Sequence, residues 1–247
     1  MTALFEAPTS HAHSLIQRMQ KVVRAHSASS PRSLQVNLGP SEVGHDCARR
    51  LSYRMLDWPQ TNNTSDPWPA ISGTAIHAWL ADAFEADTTN EWLVEHRVTI
   101  NNTLAGSCDL FDKTNGVVID HKCVGNASMK ARKAEGPTKQ QLIQLSLYAY
   151  GLELEGHTVN KIALMFYPLG GMLNGMHSWI GDYDKHIAID ALARLDSIRD
   201  LIVALDPEAM PERWSMIPAQ PSRSCTYCSW FKPGSTDLST GCPGDSA

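Results

Sequence analysis

Leu104-Ala105-Gly106-Ser107-Cys108-Asp109-Leu110-Phe111, Asp112-Lys113-Thr114-Asn115-Gly116 and Val117-Val118-Ile119-Asp120-His121-Lys122-Cys123 together decide how this chain is read. Two runs of strand-forming residues flank a turn-forming segment, and Asn115-Gly116 suits the positive φ of a tight hairpin. Side chains alternate along a strand, so Asp120 and Lys122 point to one face. With Asn115-Gly116 as a two-residue turn, Asp109 pairs with Lys122 and lies diagonal to Asp120 on that face. A slip of one residue would turn Asp109 to the other side.

Two neighbouring carboxylates repel one another and are best neutralised by a hard divalent cation, Mg²⁺ or Mn²⁺. A lysine beside them can orient a water or steady charge developing on a phosphate. Upstream, a strand is expected over 92–100, carrying Glu95. Before it a helix is expected over 72–86, with Ala75, Ile76, Trp79, Leu80 and Ala83 at helical spacing and His77 among them. Downstream, after a polar, basic loop, a long helix is expected over 138–155, ended by Gly156. There Gln144 and Tyr148 are four residues apart and share a face. Singly these features are bland: Asp-x-Lys as a solvated strand face, a lone histidine as structural, Gln144 and Tyr148 as a core contact. Their common order, each on the expected element, points to a site.

The flanks complete the pattern. Ser41 reads as the N-cap of a helix running through Trp58, preceded by a helical stretch around Leu15–Val23 and a Ser-rich linker at Ser27–Pro31. A strand over 161–169, the Gly170-Gly171 turn, a partner strand near 175–180 and a helix over 185–205 follow the long helix. Beyond Pro207 the chain turns to Pro, Ser and Cys. The expected organisation is an N-terminal helix and linker, 1–40, then one domain, 41–247, whose tail from 207 folds back onto Cys47.

Gly73-x-x-x-His77, Gly106-x-x-Asp109, Asp120-x-Lys122 and Gln144-x-x-x-Tyr148 resemble the PD-(D/E)XK nucleases of the RecB-like exonuclease group over about 41–243. The resemblance implies an α/β fold, a restriction-endonuclease-like core with a mixed central sheet flanked by helices. It implies metal ligands at His77, Asp109, Asp120 and the backbone carbonyl of His121, with Glu95 a weaker addition. Lys122 would be the catalytic lysine, and Gln144 and Tyr148 would serve the active site and DNA handling. The implied activity is Mg²⁺- or Mn²⁺-dependent exonuclease cleavage of single-stranded DNA or DNA ends, in recombination, repair or replication.

Six cysteines without a secretory pattern argue for metal or redox chemistry over disulfides. Cys225-x-x-Cys228 with Cys242 is a metal-ligand pattern, and Cys47 is the best fourth ligand; Zn²⁺ and an iron–sulfur cluster both suit thiolates. One early and three late cysteines resemble the iron–sulfur nucleases of the CRISPR-associated exonuclease type, implying a [4Fe–4S] cluster. The spacer before Cys242 is longer than is typical there. Cys108 and Cys123 fall within strands and read as core side chains.

Lysines and arginines total 21 against 26 acids, a net charge of −5, which excludes a uniformly basic DNA-coating surface. Local clusters remain: Lys130, Arg132, Lys133 and Lys139 after the Asp-x-Lys strand, and Arg49, Arg50 and Arg54 beside Cys47. Either can be solvated surface; beside a phosphodiester-cleaving site they would guide the backbone. The sequence has no apolar run of ~18 residues to span a membrane. Met1–Ser14 lacks a secretory pattern, so the cytoplasm is the expected compartment. The alternative from another class is a non-catalytic cluster- or zinc-bearing DNA-binding module serving a recombination-protein partner.

Overall fold

The computed structural model describes residues 10–29, 38–62, 66–89 and 91–244. Its elements in chain order are α1 (Ser10–Ala28), α2 (Pro40–Val43), α3 (Ala48–Met55), α4 (Trp68–Glu85), β1 (Trp92–Asn101), β2 (Leu104–Asp112) and β3 (Val117–Val124). Then come α5 (Asn126–Glu135), α6 (Lys139–Leu154), β4 (Lys161–Pro168), β5 (His177–Asp182) and α7 (Lys185–Leu205). The strands form one mixed sheet in the order β1-β2-β3-β4-β5. Only β3 and β4 run parallel, joined by the crossover through α5 and α6. Of the expected linker, Ser27 lies inside α1, and Ser30 and Pro31 fall outside the described residues, as does most of Met1–Ser14. No helix among the described residues is long and apolar enough to cross a membrane.

Local chemistry sets the ends of the helices that matter. Thr138 caps α6 by accepting the Gln141 N–H, and Gln141 answers through its own side chain to the Thr138 N–H. Asp184 caps α7 the same way on His186. Helix α6 is buried on nearly all sides, from Ile143 to Leu152, because the sheet covers one face and α7 another. It lies so close to β1 that a Cβ on Gly151 would come 2.1 Å from Val98 Cγ1. Gly151→Ala is therefore expected to destabilise the fold by about 1–3 kcal/mol despite alanine's better helix propensity, read as a lower denaturant midpoint.

Three expectations need correction. The helix from Ser41 is two helices, α2 and α3, with caps at Gly39 and Cys47 and none at Ser41. The chain breaks at Gly44 because it crosses α6 there: a Cβ at that position would meet Gln140 Cα at 2.7 Å. The carbonyls freed by the break are gathered by the guanidinium of Arg194, which donates to Val43, His45 and Asp46. The basic loop after β3 is helical, as α5. The hairpin register is shifted by two residues, since Asp112 pairs with Val117 and Leu110 with Ile119. Asp112 closes the turn itself: Oδ1 accepts the N–H groups of Thr114 and Asn115, and its carbonyl accepts that of Gly116. A shift of two keeps every side chain on its face, so the site survives the correction.

The segment after α7 lies against α3 and the loop that follows it. Arg49 gives its guanidinium to the Ile217 carbonyl, Tyr53 its hydroxyl to Leu238, Trp58 its indole N–H to Ser239, and Trp230 its own to Trp58. Tyr53, Trp58, Trp214 and Trp230 stack into one aromatic cluster beneath.

Candidate active site

β2 and β3 pair only through Leu110–Asp112 and Val117–Ile119 and then part. Where they part, Asp109 and Asp120 come level with one another. The Asp109 carboxylate fills the gap, Oδ2 accepting the His121 N–H at 2.7 Å, a donor the open ladder leaves without its strand partner. On the other side, Val94 pairs with Leu110 and His96 with Cys108, so Glu95 stands across from Asp109. Three carboxylates thus lie in a row over three strands. Glu95 holds φ at +44°, a left-handed conformation uncommon for a glutamate and costly inside a strand.

Helix α4 crosses above and contributes His77, whose Nδ1 is 3.5 Å from Asp109 Oδ2. The His121 ring holds this helix in place, stacked on Phe84 and edge-on to His77. One ligand atom each from His77, Glu95 and Asp109 falls within 4.8 Å of the others. Asp120 is fully buried, and among the described residues neither of its oxygens accepts a hydrogen bond. Lys122 Nζ is 2.6 Å from Asp120 Oδ2, a charge contact off the carboxylate's hydrogen-bonding directions, and donates to Gln144 Oε1 on α6 at 3.2 Å. Tyr148 lies one turn further along α6 and is buried.

The electrostatics follow from burial. It pushes the Asp120 carboxyl up to about 6, more than Lys122 pulls it down. Asp109 is also buried, but the hydrogen bond and charge of His77 and the His121 N–H hold it below its ordinary value. That bond with Asp109 raises the His77 imidazole, and burial lowers His121 to about 4, leaving it neutral.

His77, Glu95, Asp109, Asp120, Lys122, Gln144 and Tyr148 line one cleft of about 680 Å³, roofed by Gly39–Glu42, Arg54 and the α4 residues Thr74, His77, Ala78 and Ala81. Gly106 is a steric necessity at its floor, because a Cβ would lie 2.8 Å from Pro40 Cδ and 3.1 Å from Tyr148 Cε1. The structure thus brings together His77, Glu95, Asp109, Asp120, Lys122, Gln144 and Tyr148. The sequence reading missed Arg97 as a cleft residue, although strand alternation puts it on the same face as Glu95. It also missed that Arg54, of the Arg49 cluster, reaches the cleft.

The profile of the PD-(D/E)XK nuclease superfamily matches residues 85–231, more than half of the chain. The chain belongs to the PD-(D/E)XK nuclease superfamily. The alkaline exonuclease LHK-Exo from Laribacter hongkongensis shares this nuclease's fold with a TM-score of 0.52 at 11% identity, over 73% of this chain and 94% of that one. The crystal structure of LHK-Exo in complex with dAMP gives 0.51 at 13% identity, over the same shares. No curated protein matches the sequence.

The other expected residues of this nuclease lie elsewhere. Cys47, Cys225, Cys228 and Cys242 line a second cavity with His45, Arg49 and Arg50. Arg49 and Arg50 are engaged there, with Ile217 and Cys242 and with His45. Arg132 caps its own helix through the Gly136 carbonyl, and Lys139 pairs with Asp46. Lys130 and Lys133 are exposed on α5. Cys108 is core, as expected, but Cys123 is only half-buried.

Proposed function

We propose that this protein is a divalent-metal-dependent deoxyribonuclease that removes nucleotides from single-stranded DNA or DNA ends, in recombination, repair or replication. One observation carries the reading: a fully buried carboxylate, Asp120, whose one close cationic partner among the described residues is Lys122, stands beside a His/Glu/Asp cluster. Burial costs the ionised Asp120 carboxylate more than Lys122 returns, and a bound cation would make up the difference. His77, Glu95, Asp109, Asp120 and the His121 carbonyl would hold that cation, a mainly hard-oxygen set suited to Mg²⁺ or Mn²⁺. When bound, it supplies charge neutralisation and Lewis-acid polarisation at the phosphate.

The chain's own residues do the rest. Lys122, poised between Asp120 and Gln144, presents its ammonium to the phosphodiester and stabilises charge that grows on it. Gln144 keeps that ammonium aimed into the cleft, and Tyr148 supports Gln144 from the next turn. Lys130 and Lys133 on α5 follow the strand that carries the site and suit an approaching phosphate backbone. End-labelled linear and closed circular DNA, incubated with Mg²⁺ or Mn²⁺, test the reading. Release of nucleotides from linear substrates alone is expected. Cutting of circles would make the enzyme an endonuclease, and tight binding with no cleavage would make it an accessory module.

The second cavity is proposed to hold a [4Fe–4S] cluster on Cys47, Cys225, Cys228 and Cys242. The four cysteines line one space with His45, Arg49 and Arg50, and Zn²⁺ is the alternative occupant on the same thiolates.

Asp120 also makes stability depend on pH and metal. Its folded pKa is about 6 against an ordinary 3.8, so the folded state binds the proton more tightly. The stability this gives is full below about 3.8 and is lost as pH rises through about 6. Metal-free protein should therefore melt lower at pH 8 than at pH 5. Mg²⁺ should restore much of the loss, and Asp120→Asn should raise the metal-free melting temperature at pH 8 by about 5 °C, at ~2–4 °C per kcal/mol. Calorimetry with and without chelator checks this, and a pH-independent difference between variant and parent would refute it.

A further inference from the structure

Three basic side chains line the cleft, and two are already engaged. Arg54 is paired with Glu42 at 3.4 Å, and Lys122 is held by Asp120 and Gln144. Arg97 has neither an ion pair nor a hydrogen bond from its side chain to any described residue, in a cleft that also presents Glu42, Glu95, Asp109 and Asp120. An arginine left without a carboxylate in an acidic cleft is a cation kept for an anion that arrives. Its planar fork suits the two free oxygens of a phosphodiester.

Its place in the sheet says which phosphodiester. Along β1, Val98 and Ile100 are buried in the core while Glu95, Arg97 and Thr99 are exposed on the open face. Arg97 pairs with Ser107, one strand repeat from the level at which Glu95 stands across from Asp109. That repeat is ~6.6–6.8 Å, the scale of one nucleotide step along a strand. β1 is also the edge of the sheet, where the row of cleft residues meets solvent.

We propose that Arg97 binds the phosphodiester adjacent to the one being cut, and so sets the line on which the DNA strand crosses the sheet edge into the cleft. The inference rests on the nuclease reading above. Among the described residues Arg97 has no hydrogen bond or ion pair with the carboxylate row, so its removal changes strand positioning and leaves the reacting centre intact.

The test uses Arg97→Ala and Arg97→Lys in the full chain. Binding of a fluorescent single-stranded oligonucleotide, without divalent metal, is followed against NaCl concentration. Arg97→Ala is expected to bind about tenfold more weakly and to lower the slope of log K against log salt by ~0.7, the value of one lost phosphate contact on a single strand. Cleavage should show a raised KM with kcat changed less than about twofold and an unchanged melting temperature, while Arg97→Lys restores the salt slope but only part of the affinity. A single neutral methylphosphonate next to the scissile linkage should weaken the parent and leave Arg97→Ala unaffected. An unaltered salt slope and KM in Arg97→Ala, or the same methylphosphonate penalty in both proteins, would overturn the proposal while the nuclease reading stood. Failure of the parent itself to bind or cut DNA would overturn both.

Discussion

Lys122→Ala is expected to lower DNA cleavage by at least about 10³-fold while leaving the melting temperature in Mg²⁺ within a few degrees of the parent. The magnitude follows from position. Lys122 is the one basic side chain lining the cleft that touches the buried carboxylate, and no neighbour can take its place, since Arg54 is tied to Glu42 and Arg97 stands on the edge strand. Its ammonium is partly buried, so its charge acts in a medium of lower dielectric than water. Lys122→Ala leaves Asp120 with even less compensation, so the variant's metal-free stability should fall at pH 8 and recover with Mg²⁺. Asp109→Asn should match the loss of cleavage by a different route: it takes away the charge of a proposed cation ligand, while the amide oxygen can still accept the His121 N–H. Residual cleavage within tenfold of the parent in either variant would remove these residues from the chemistry. Gln144→Ala, which only steers the ammonium, should cost less than either.

The fold was legible in the sequence wherever a pattern is local. The alternation around Asp120 and Lys122 and the helical spacing of Ala75, Ile76, Trp79, Leu80 and Ala83 each declare an element without reference to the rest of the chain. Helix α7 was expected over 185–205 and spans Lys185–Leu205. What the sequence did not show depends on contacts between distant segments. The break at Gly44 is imposed by Gln140 and satisfied by Arg194, neither visible from the local string around Ser41. The hairpin register turned on the competition between an Asn-Gly turn and an Asp112 carboxylate able to bind two backbone N–H groups. Both choices are local, and only their relative energy decides.

The site itself was legible for the same reason that the register error was harmless. Face assignment follows parity, and parity is unchanged by a shift of two. Hence Asp109, Asp120 and Lys122 converge, although Asp109 comes level with Asp120 and not with Lys122. The strain at Glu95 had no sequence signature, because a left-handed glutamate in a strand is permitted only by its surroundings. The roles of the basic residues were the least legible. Arg49 resembles a DNA contact in sequence, yet its guanidinium holds the Ile217 carbonyl and approaches Cys242. Charge alone does not say what a side chain faces.

Cys47→Ser is expected to lower the melting temperature by more than about 10 °C, given several kcal/mol from a structural metal centre at ~2–4 °C per kcal/mol. The reason is topological. Cys47 caps α3, while Cys225, Cys228 and Cys242 lie in a segment low in regular structure. That segment is otherwise held by the Tyr53, Trp58, Trp214 and Trp230 cluster and by hydrogen bonds from Arg49, Tyr53, Trp58 and Asn62. A centre shared among the four closes a loop through nearly the whole domain, and long loops gain most from closure. The same strand of chain reaches the cleft, since Pro40, Ser41 and Glu42 in its roof lead through Gly44 directly to Cys47. Loss of the centre should therefore also reduce cleavage, whereas Lys122→Ala should leave the centre intact. Protein purified without air should be brown and contain iron and acid-labile sulfide. Cys225→Ser should lose both with the colour, and Cys123→Ser, outside the second cavity, should lose neither. One zinc per colourless chain would replace the cluster with a zinc site on the same thiolates. An unchanged melting temperature and metal content in Cys47→Ser would remove Cys47 from the ligand set and, with it, the closure of the domain.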